Sequence, residues 1–197
     1  NISDTDIEDI PNDLFEHMTK LRELMLQQNK LTNVPASIQL TSKSLKYLNL
    51  GSNPIKELNK NSFMNLRQLT HLTIDNMTEL VKIERETLQP LESLEALWCK
   101  ENSKLTTFDL NAISEHRKLR LLDLSFCGIK SLTFHAITDP NVNWTEIEKF
   151  NHISVLKLDG NPFHCDCQLY KILYVLEHHL KDVFFTDNSA RCETPYA

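Results

Sequence analysis

The stretch that decides the fold is LKYLNLGSNPI at residues 45–55, which repeats the form of LRELMLQQNKL at residues 21–31. Both place leucine at the first, fourth and sixth positions, asparagine at the ninth and an aliphatic residue at the eleventh. The first six positions recur with Ile74 or Cys99 in place of a leucine, in copies that begin at Leu69, Leu94, Leu119 and Ile153. Successive starts are 24, 24, 25, 25 and 34 residues apart. A period of this length predicts a chain built by stacking copies of one unit.

The alternation inside each copy predicts a short strand with one buried face. Leu24 and Leu26 should point inward, and Met25 between them should point outward. One unit cannot bury its own leucines, so neighbouring units must cover them, with parallel strands about 4.8 Å apart. This pattern is typical of a leucine-rich repeat solenoid, an α/β horseshoe with a parallel concave sheet. We expect about seven repeats over residues 1–160, the first of them incomplete.

Two further features of the repeat can be read from the sequence. The ninth residue should turn inward and hydrogen-bond backbone groups where the strand ends, in a set formed by Asn29, Asn53, Asn102 and Asn161. Cys127 takes this position in the fifth repeat and Met77 takes it in the third. A second apolar position precedes each strand and should form the convex wall of the core, in a set formed by Phe15, Ile38, Phe63, Leu88 and Ile113. The sequence leaves open whether helical or extended segments carry this wall.

Composition and sequons indicate the compartment. The net charge of −6 gives no overall basic character, so nucleic acid is not an expected partner. No run approaches the roughly 20 apolar residues of a membrane span, and the ends read as those of a fragment, so membrane attachment would lie outside it. Three glycosylation sequons begin at Asn1, Asn76 and Asn143. Together with clustered cysteines they predict an extracellular, glycosylated protein.

Residues 161–197 predict a terminal cap. Asn161-Pro-Phe-His-Cys165-Asp-Cys167 is followed by apolar residues at helical spacing, which are Leu169, Ile172, Leu173, Leu176 and Leu180, and later by Cys192. These residues resemble the cysteine-rich C-terminal cap of extracellular leucine-rich repeat proteins, a family that includes insect Toll receptors and Slit-type guidance proteins. The resemblance implies a disulfide between Cys165 and Cys192. It also implies a partner for Cys167 that is missing up to Ala197.

Other chemistry has weak support in the sequence. Cys-x-Cys with distant histidines does not match the usual spacing of structural zinc ligands, so we expect no metal site. Cys99 and Cys127 occupy interior positions that are offset along neighbouring strands, and we expect them to be buried free thiols. No nucleophile elbow, phosphate-binding loop or zinc-protease motif occurs. We therefore expect no enzyme activity and no cofactor.

The concave face is the predicted place for a partner. Its first outward column contains Glu23, Tyr47, His71, Ala96, Leu121 and Val155, and the second contains Met25, Asn49, Thr73, Trp98, Asp123 and Lys157. An outward Trp on a sheet is typical of residues that carry interface energy. We predict contacts from Tyr47, His71, Trp98 and Leu121 at the centre, with Lys100 and Asp123 in a polar rim that also includes Glu23 and Asp75.

These features predict a non-enzymatic, extracellular recognition module that binds a protein ligand or co-receptor, or a second copy of itself. The resemblance implies the ligand-binding or dimer-forming part of a Toll-like innate-immune or developmental receptor. The alternative is a secreted or membrane-anchored adhesion, guidance or immune-complex protein with the same repeat.

Overall fold

The computed structural model describes residues 1–134, 150, 152–164 and 166–179, without the side chains of residues 175 and 177–179. Ten strands follow one another in these ranges, all of them two or three residues long. They are β1 (Glu23–Met25), β2 (Tyr47–Asn49), β3 (Glu57–Leu58), β4 (His71–Thr73), β5 (Lys82–Ile83), β6 (Ala96–Trp98), β7 (Thr107–Asp109), β8 (Leu121–Asp123), β9 (Ser131–Thr133) and β10 (Val155–Lys157). A helix, α1 (Cys167–His179), follows the last strand.

Six of these strands form one parallel sheet in the order β1-β2-β4-β6-β8-β10. The central residue of each strand is a leucine that pairs with the central leucine of the next, from Leu24 in β1 to Leu156 in β10. All six central leucines are buried, with at most 3% of their surface exposed. The solenoid and its parallel sheet, expected from the repeat, are therefore present.

The outer side of the solenoid mixes the two kinds of segment that the sequence left open. Short parallel pairs form between β3 and β5 and between β7 and β9. Elsewhere the chain makes 3₁₀ helices at Ala36–Thr41, Arg85–Thr87 and Leu110–Ala112. The predicted second wall is buried beneath them, since Phe15 is 3% exposed and Ile38, Phe63, Leu88 and Ile113 are fully covered.

Asparagines at the ninth position join successive repeats through one recurring set of hydrogen bonds. The Asn53 amide donates to the carbonyl oxygens of Leu26 at 2.9 Å and Leu50 at 2.8 Å, and its own oxygen accepts from the Leu31 amide at 3.0 Å. The same contacts recur at Asn29, Asn102 and Asn161. We call this set of four the asparagine ladder. Because these backbone groups are shielded from water, leaving them unpaired would be costly.

Two repeats lack the asparagine. In the fifth repeat the Cys127 thiol takes its place and donates to the Cys99 carbonyl oxygen at 3.0 Å, where an asparagine amide would donate. In the third repeat the Met77 side chain is apolar, but the Met77 backbone amide still finds a partner in the Asn102 side-chain oxygen at 2.7 Å. The ladder of the following repeat thus satisfies the backbone at Met77.

Each residue directly before the ninth position has left-handed backbone. The φ values run from 52° to 66° in a set formed by Gln28, Ser52, Asn76, Glu101, Phe126 and Gly160. Left-handed backbone is uncommon outside glycine, so its recurrence in six repeats marks a turn that the fold requires at this point. At Gly160 a side chain would also overlap the Phe126 ring, which lies against it.

After the sixth repeat, helix α1 begins with a side-chain cap, because the Asp166 carboxylate accepts from the Leu169 amide at 2.7 Å. Leu169, Ile172 and Leu176 are buried, as the helical spacing predicts, and Leu173 is half-buried. Leu180 and the remainder of the predicted cap lie outside the described residues. In the described part of the chain, no helix combines the length and apolar character needed to cross a bilayer.

Candidate functional site

The sheet's open face carries three aromatic rings in contact on adjacent strands. Tyr47 on β2 and His71 on β4 are directly paired in register, and their rings stack with centroids 4.4 Å apart. His71 and Trp98 on β6 have centroids 5.8 Å apart at an interplanar angle of 22°. We call Tyr47, His71 and Trp98 the aromatic row. It presents a preformed group of large side chains, with Tyr47 40% exposed.

The row crosses from one outward column to the other. Trp98 is paired with Thr73, whereas the residue paired with His71 is Ala96. Because the Ala96 side chain is small, the large Trp98 ring can reach the diagonal neighbour. The register agrees with the two columns expected from the sequence, but the diagonal contact depends on ring orientation and was not predicted.

Asp123 differs from the expected exposed rim. It is only 3% exposed, and one carboxylate oxygen accepts from the Ser125 amide at 3.1 Å and the Ser125 hydroxyl at 2.5 Å. The other oxygen lies 3.3 Å from the Lys157 ammonium on β10. Asp123 on β8 thus lies between Trp98 on β6 and Lys157 on β10, and it supports Lys157 and Ser125. Leu121 of the same strand is half-buried.

Lys100 and Asp75 lie where the strands end. The Asp75 carboxylate accepts from the Lys100 backbone amide at 2.9 Å. Burial raises the pKa of Asp75 above its ordinary value, an effect that this hydrogen bond and the charge of Lys100 oppose. The Lys100 ammonium itself lies 3.1 Å from Glu101. This corner of the sheet is therefore polar but internally paired.

The three sequons and the cysteines have different positions. Asn1 and Asn76 are exposed, and the Asn76 amide donates to the Ser52 hydroxyl at 3.1 Å. Cys99 and Cys127 are buried free thiols, while Cys167 is free and exposed. The Cys127 thiol lies 3.0 Å from the Cys99 carbonyl oxygen, and a contact between the two thiols raises the pKa of Cys99 and lowers that of Cys127. Asn143, Cys165 and Cys192 lie outside the described residues, and the disulfide stays a prediction.

A cavity of about 400 Å³ opens elsewhere, near the ends of the third and fourth repeats. Arg85, Asn111, His116 and Arg117 are among its lining residues. The repeated motif does not predict this cavity, because its walls come from positions outside the motif. Within the ranges that the structure describes, no group of three or more histidines, cysteines or carboxylates is placed to hold a metal ion.

Comparison with known proteins agrees with this architecture. The family model described as "Leucine rich repeat" matches residues 20–78, which span β1, β2 and β4 of the sheet. The protein is a leucine-rich repeat solenoid. Among solved structures, an internalin from Listeria monocytogenes matches 93% of the leucine-rich repeat chain with a TM-score of 0.64 at 20% identity, over 45% of its own length. The Toll–Spatzle complex of Drosophila matches 92% with a TM-score of 0.57 at 18% identity, over 29% of that chain. At these identities the likeness concerns the fold.

Two curated relatives are similar in sequence to this leucine-rich repeat protein. Nephrocan from Mus musculus is 29% identical over 192 residues, which cover 91% of this chain and 36% of the relative. Tsukushi from Gallus gallus is 27% identical over 132 residues, which cover 63% of this chain and 35% of the relative. The chain thus spans about a third of the length of either relative.

Proposed function

We propose that this leucine-rich repeat segment is a non-enzymatic, extracellular protein-recognition module that contacts its partner through the aromatic row. The observation that carries the proposal is the stack of Tyr47, His71 and Trp98 on the open face of a rigid sheet. Tyr and Trp dominate the residues that carry binding energy in interfaces. A preformed stack also loses little side-chain freedom when a partner docks.

The surroundings of the row suit a protein partner. Lys157 is held against Asp123 at 3.3 Å beyond the Trp98 side of the row, and the half-buried polar side chains of Asn49 and Thr73 lie on the same strands as Tyr47 and His71. An apolar centre with a polar margin is the usual composition of protein interfaces. Partner-binding roles for Tyr47, His71, Trp98, Leu121 and Lys100 are part of this proposal, with Asp123 acting through Lys157.

The finer proposal is that the segment belongs to a receptor of Toll-like character, as its ligand-binding or dimer-forming part. Support comes from the cap sequence at residues 161–197 and from the fold likeness to the chain in the Toll–Spatzle complex. The similarity to Tsukushi and Nephrocan favours the alternative, a secreted or membrane-anchored leucine-rich repeat binder. The coding sequence beyond Ala197 distinguishes them, since a membrane span with a signalling domain would support the first and exclude the second.

Substitution on the concave face tests the recognition role. The full protein and its Tyr47→Ala and Trp98→Ala variants are assayed by surface plasmon resonance against proteins secreted or displayed by the source tissue. Loss of one row residue should weaken binding about thirtyfold or more, in line with about 2 kcal/mol or more for a central aromatic residue. The thermal midpoint should change little, because both side chains lie outside the core.

The matched control is Tyr170→Ala, which removes an exposed tyrosine from helix α1, outside the concave sheet. Equal binding by wild type and both row variants would refute the proposal, as would loss of binding in Tyr170→Ala alone. Sedimentation analysis of the same proteins tests the dimer alternative, in which the partner is a second copy and the row variants become monomeric.

A further inference from the structure

Basic side chains gather along one edge of the solenoid, although the whole chain has a net charge of −6. They occupy the two positions before each repeat's first leucine and the position after it. The first three repeats contribute Lys20, Arg22, Lys43, Lys46 and Arg67. The fifth contributes Arg117, Lys118 and Arg120. We call these residues the basic edge. Only the fourth repeat places acidic residues there, Glu92 and Glu95.

The strand register places these residues on one side of the molecule. All six strands of the main sheet are parallel and in register, so residues that precede them lie at the same end. Backbone hydrogen bonds connect the edge positions directly, from the Lys46 amide to the Arg22 carbonyl at 2.8 Å and from the Arg120 amide to the Glu95 carbonyl at 2.7 Å. Every cation of the basic edge is exposed except Lys46, which is half-buried.

Cations on the opposite edge of the sheet are paired with carboxylates. Lys30, Lys100 and Lys104 each have a carboxylate partner, at 3.0 Å from Asp6, 3.1 Å from Glu101 and 2.7 Å from Glu79. On the basic edge, Arg67 has a carboxylate partner in Glu92, at 3.4 Å. In the described ranges Lys20, Arg22, Lys43 and Arg117 form no salt bridge. Within those ranges no carboxylate neutralises their charge.

At its Arg117 end, the basic edge borders the cavity described above. Arg117 and Lys118 also line the cavity of about 400 Å³, and Arg85 from the preceding repeat adds a third cation to its wall. Glu92 and Glu115 line the same cavity. A chain running along the edge would therefore meet two groups of cations separated by the acidic fourth repeat.

We propose that the basic edge binds a linear sulfated polysaccharide that lies across the repeats. Strands are about 4.8 Å apart, so the five repeats from Lys20 to Arg120 span roughly 19 Å, and each of these repeats except the fourth presents cations to a chain of sulfates. The side chains between the cations, Ser44, Gln68 and Ser93, are polar. Protein interfaces have an apolar or aromatic core, which the basic edge lacks, so the polysaccharide is favoured over an acidic protein.

Deletion of cations, with the same change in net charge in the test and control variants, tests the inference. The edge variant combines Lys20→Ser, Lys43→Ser and Arg117→Ser, and the control combines Lys56→Ser, Lys60→Ser and Lys130→Ser, all exposed residues away from the edge. Both lose three positive charges. Affinity for a size-fractionated heparin oligosaccharide is measured by titration calorimetry over a range of salt concentrations. The edge variant should bind at least tenfold more weakly and with a smaller salt dependence, because fewer counterions are released.

The control variant should bind as wild type does. Equal weakening in both variants would mean attraction by net charge alone and would overturn the inference, as would absent binding by wild type. Polyglutamate of matched charge serves as the acidic-protein probe, and competition as strong as that of heparin would overturn the polysaccharide assignment. Tyr47→Ala and Trp98→Ala should leave heparin affinity unchanged, which separates this surface from the proposed protein-binding one.

Discussion

His116 is a neutral histidine held in the wall between two repeats. It is 4% exposed, and its Nε2 lies 2.8 Å from the Leu88 carbonyl oxygen, so Nε2 carries the proton that is donated. Burial lowers the pKa of His116 below its ordinary value of 6.5, more strongly than this hydrogen bond raises it. His152 nearby has a pKa that is lowered by burial and then by the charges of Arg120 and Arg117. Both side chains resist protonation in the folded state.

This environment predicts a stability that declines in mild acid. When the folded pKa lies below the unfolded value, the unfolded chain binds more protons as pH falls. The stabilisation is therefore fully present above about pH 6.5 and is lost progressively below it. His116→Gln, whose amide can still donate to Leu88, should reduce the fall in thermal midpoint between about pH 7.5 and pH 5.5. Differential scanning calorimetry at the two pH values measures this change in thermal midpoint.

The exposed His17 provides the control for this prediction. His17→Gln should retain the wild-type pH dependence, because this substitution leaves the buried His116 in place. An unchanged fall in the thermal midpoint of His116→Gln would show that other groups control acid stability.

At the level of the repeat, the asparagine ladder joins one element to the next. Asn102 is fully buried and holds three backbone groups, donating to the carbonyls of Ile74 and Cys99 and accepting from the Met77 amide. Removing its amide leaves these groups without a partner in a place that water cannot reach easily. Such a loss costs about 1–3 kcal/mol for each unpaired buried group.

Asn102→Ala should therefore lower the free energy of unfolding by roughly 2–4 kcal/mol, allowing for partial relaxation. Urea denaturation followed by circular dichroism measures it. The control is Asn33→Ala, which removes an exposed asparagine whose side-chain contact is with the neighbouring Thr32 hydroxyl. Similar losses in the two variants would argue against a special contribution from the ladder.

Sequence reasoning succeeded at this level wherever the repeated motif itself determines the structure. The central leucines and the ladder asparagines have one role in every copy, so their pairing could be predicted from spacing. Sequence reasoning failed where the burial or contacts of a residue depend on one particular neighbour. Asp123 looks exposed by its position in the strand, but Lys157 and Ser125 cover it. The contact between Trp98 and His71 similarly depends on the small Ala96 side chain beside His71.

The convex side was less predictable for another reason. The segments that cross it, such as Glu57–Leu58 and Arg85–Thr87, are two or three residues long and show no periodicity. Their apolar anchors are recognisable, as the burial of Phe63 and Leu88 shows, but either an extended or a 3₁₀ backbone can place such an anchor inward. Local hydrogen bonding, which sequence spacing does not encode, decides between them.

Over the whole molecule, each repeat depends on its immediate neighbours. The strand order follows the order of the repeats, so an interior repeat is covered on both sides. In such an array, stability is approximately a sum of repeat terms and nearest-neighbour interface terms. A defect therefore acts locally, and its reach depends on where in the series it lies.

This dependence predicts different effects for two equivalent leucines. Leu24→Ala in β1 and Leu97→Ala in β6 each create a cavity that costs about 2–5 kcal/mol. Hydrogen exchange followed by mass spectrometry should show Leu24→Ala speeding exchange mainly before residue 60. Leu97→Ala should speed exchange in the repeats on both sides of β6. Uniform acceleration across the chain in both variants would indicate a single cooperative unit and contradict the nearest-neighbour description.

The in-register sheet also constrains how the length of this protein can change. Removing residues 69–93 excises one whole period of 25 residues and brings β2 next to β6 with leucine still opposite leucine. Tyr47 would then lie beside Ala96, and Asn49 beside Trp98. Gene segments of one period can thus be lost or duplicated without breaking the interior, while the outward columns are rearranged each time. Recognition in this architecture can evolve by loss or duplication of whole repeats as well as by point substitution.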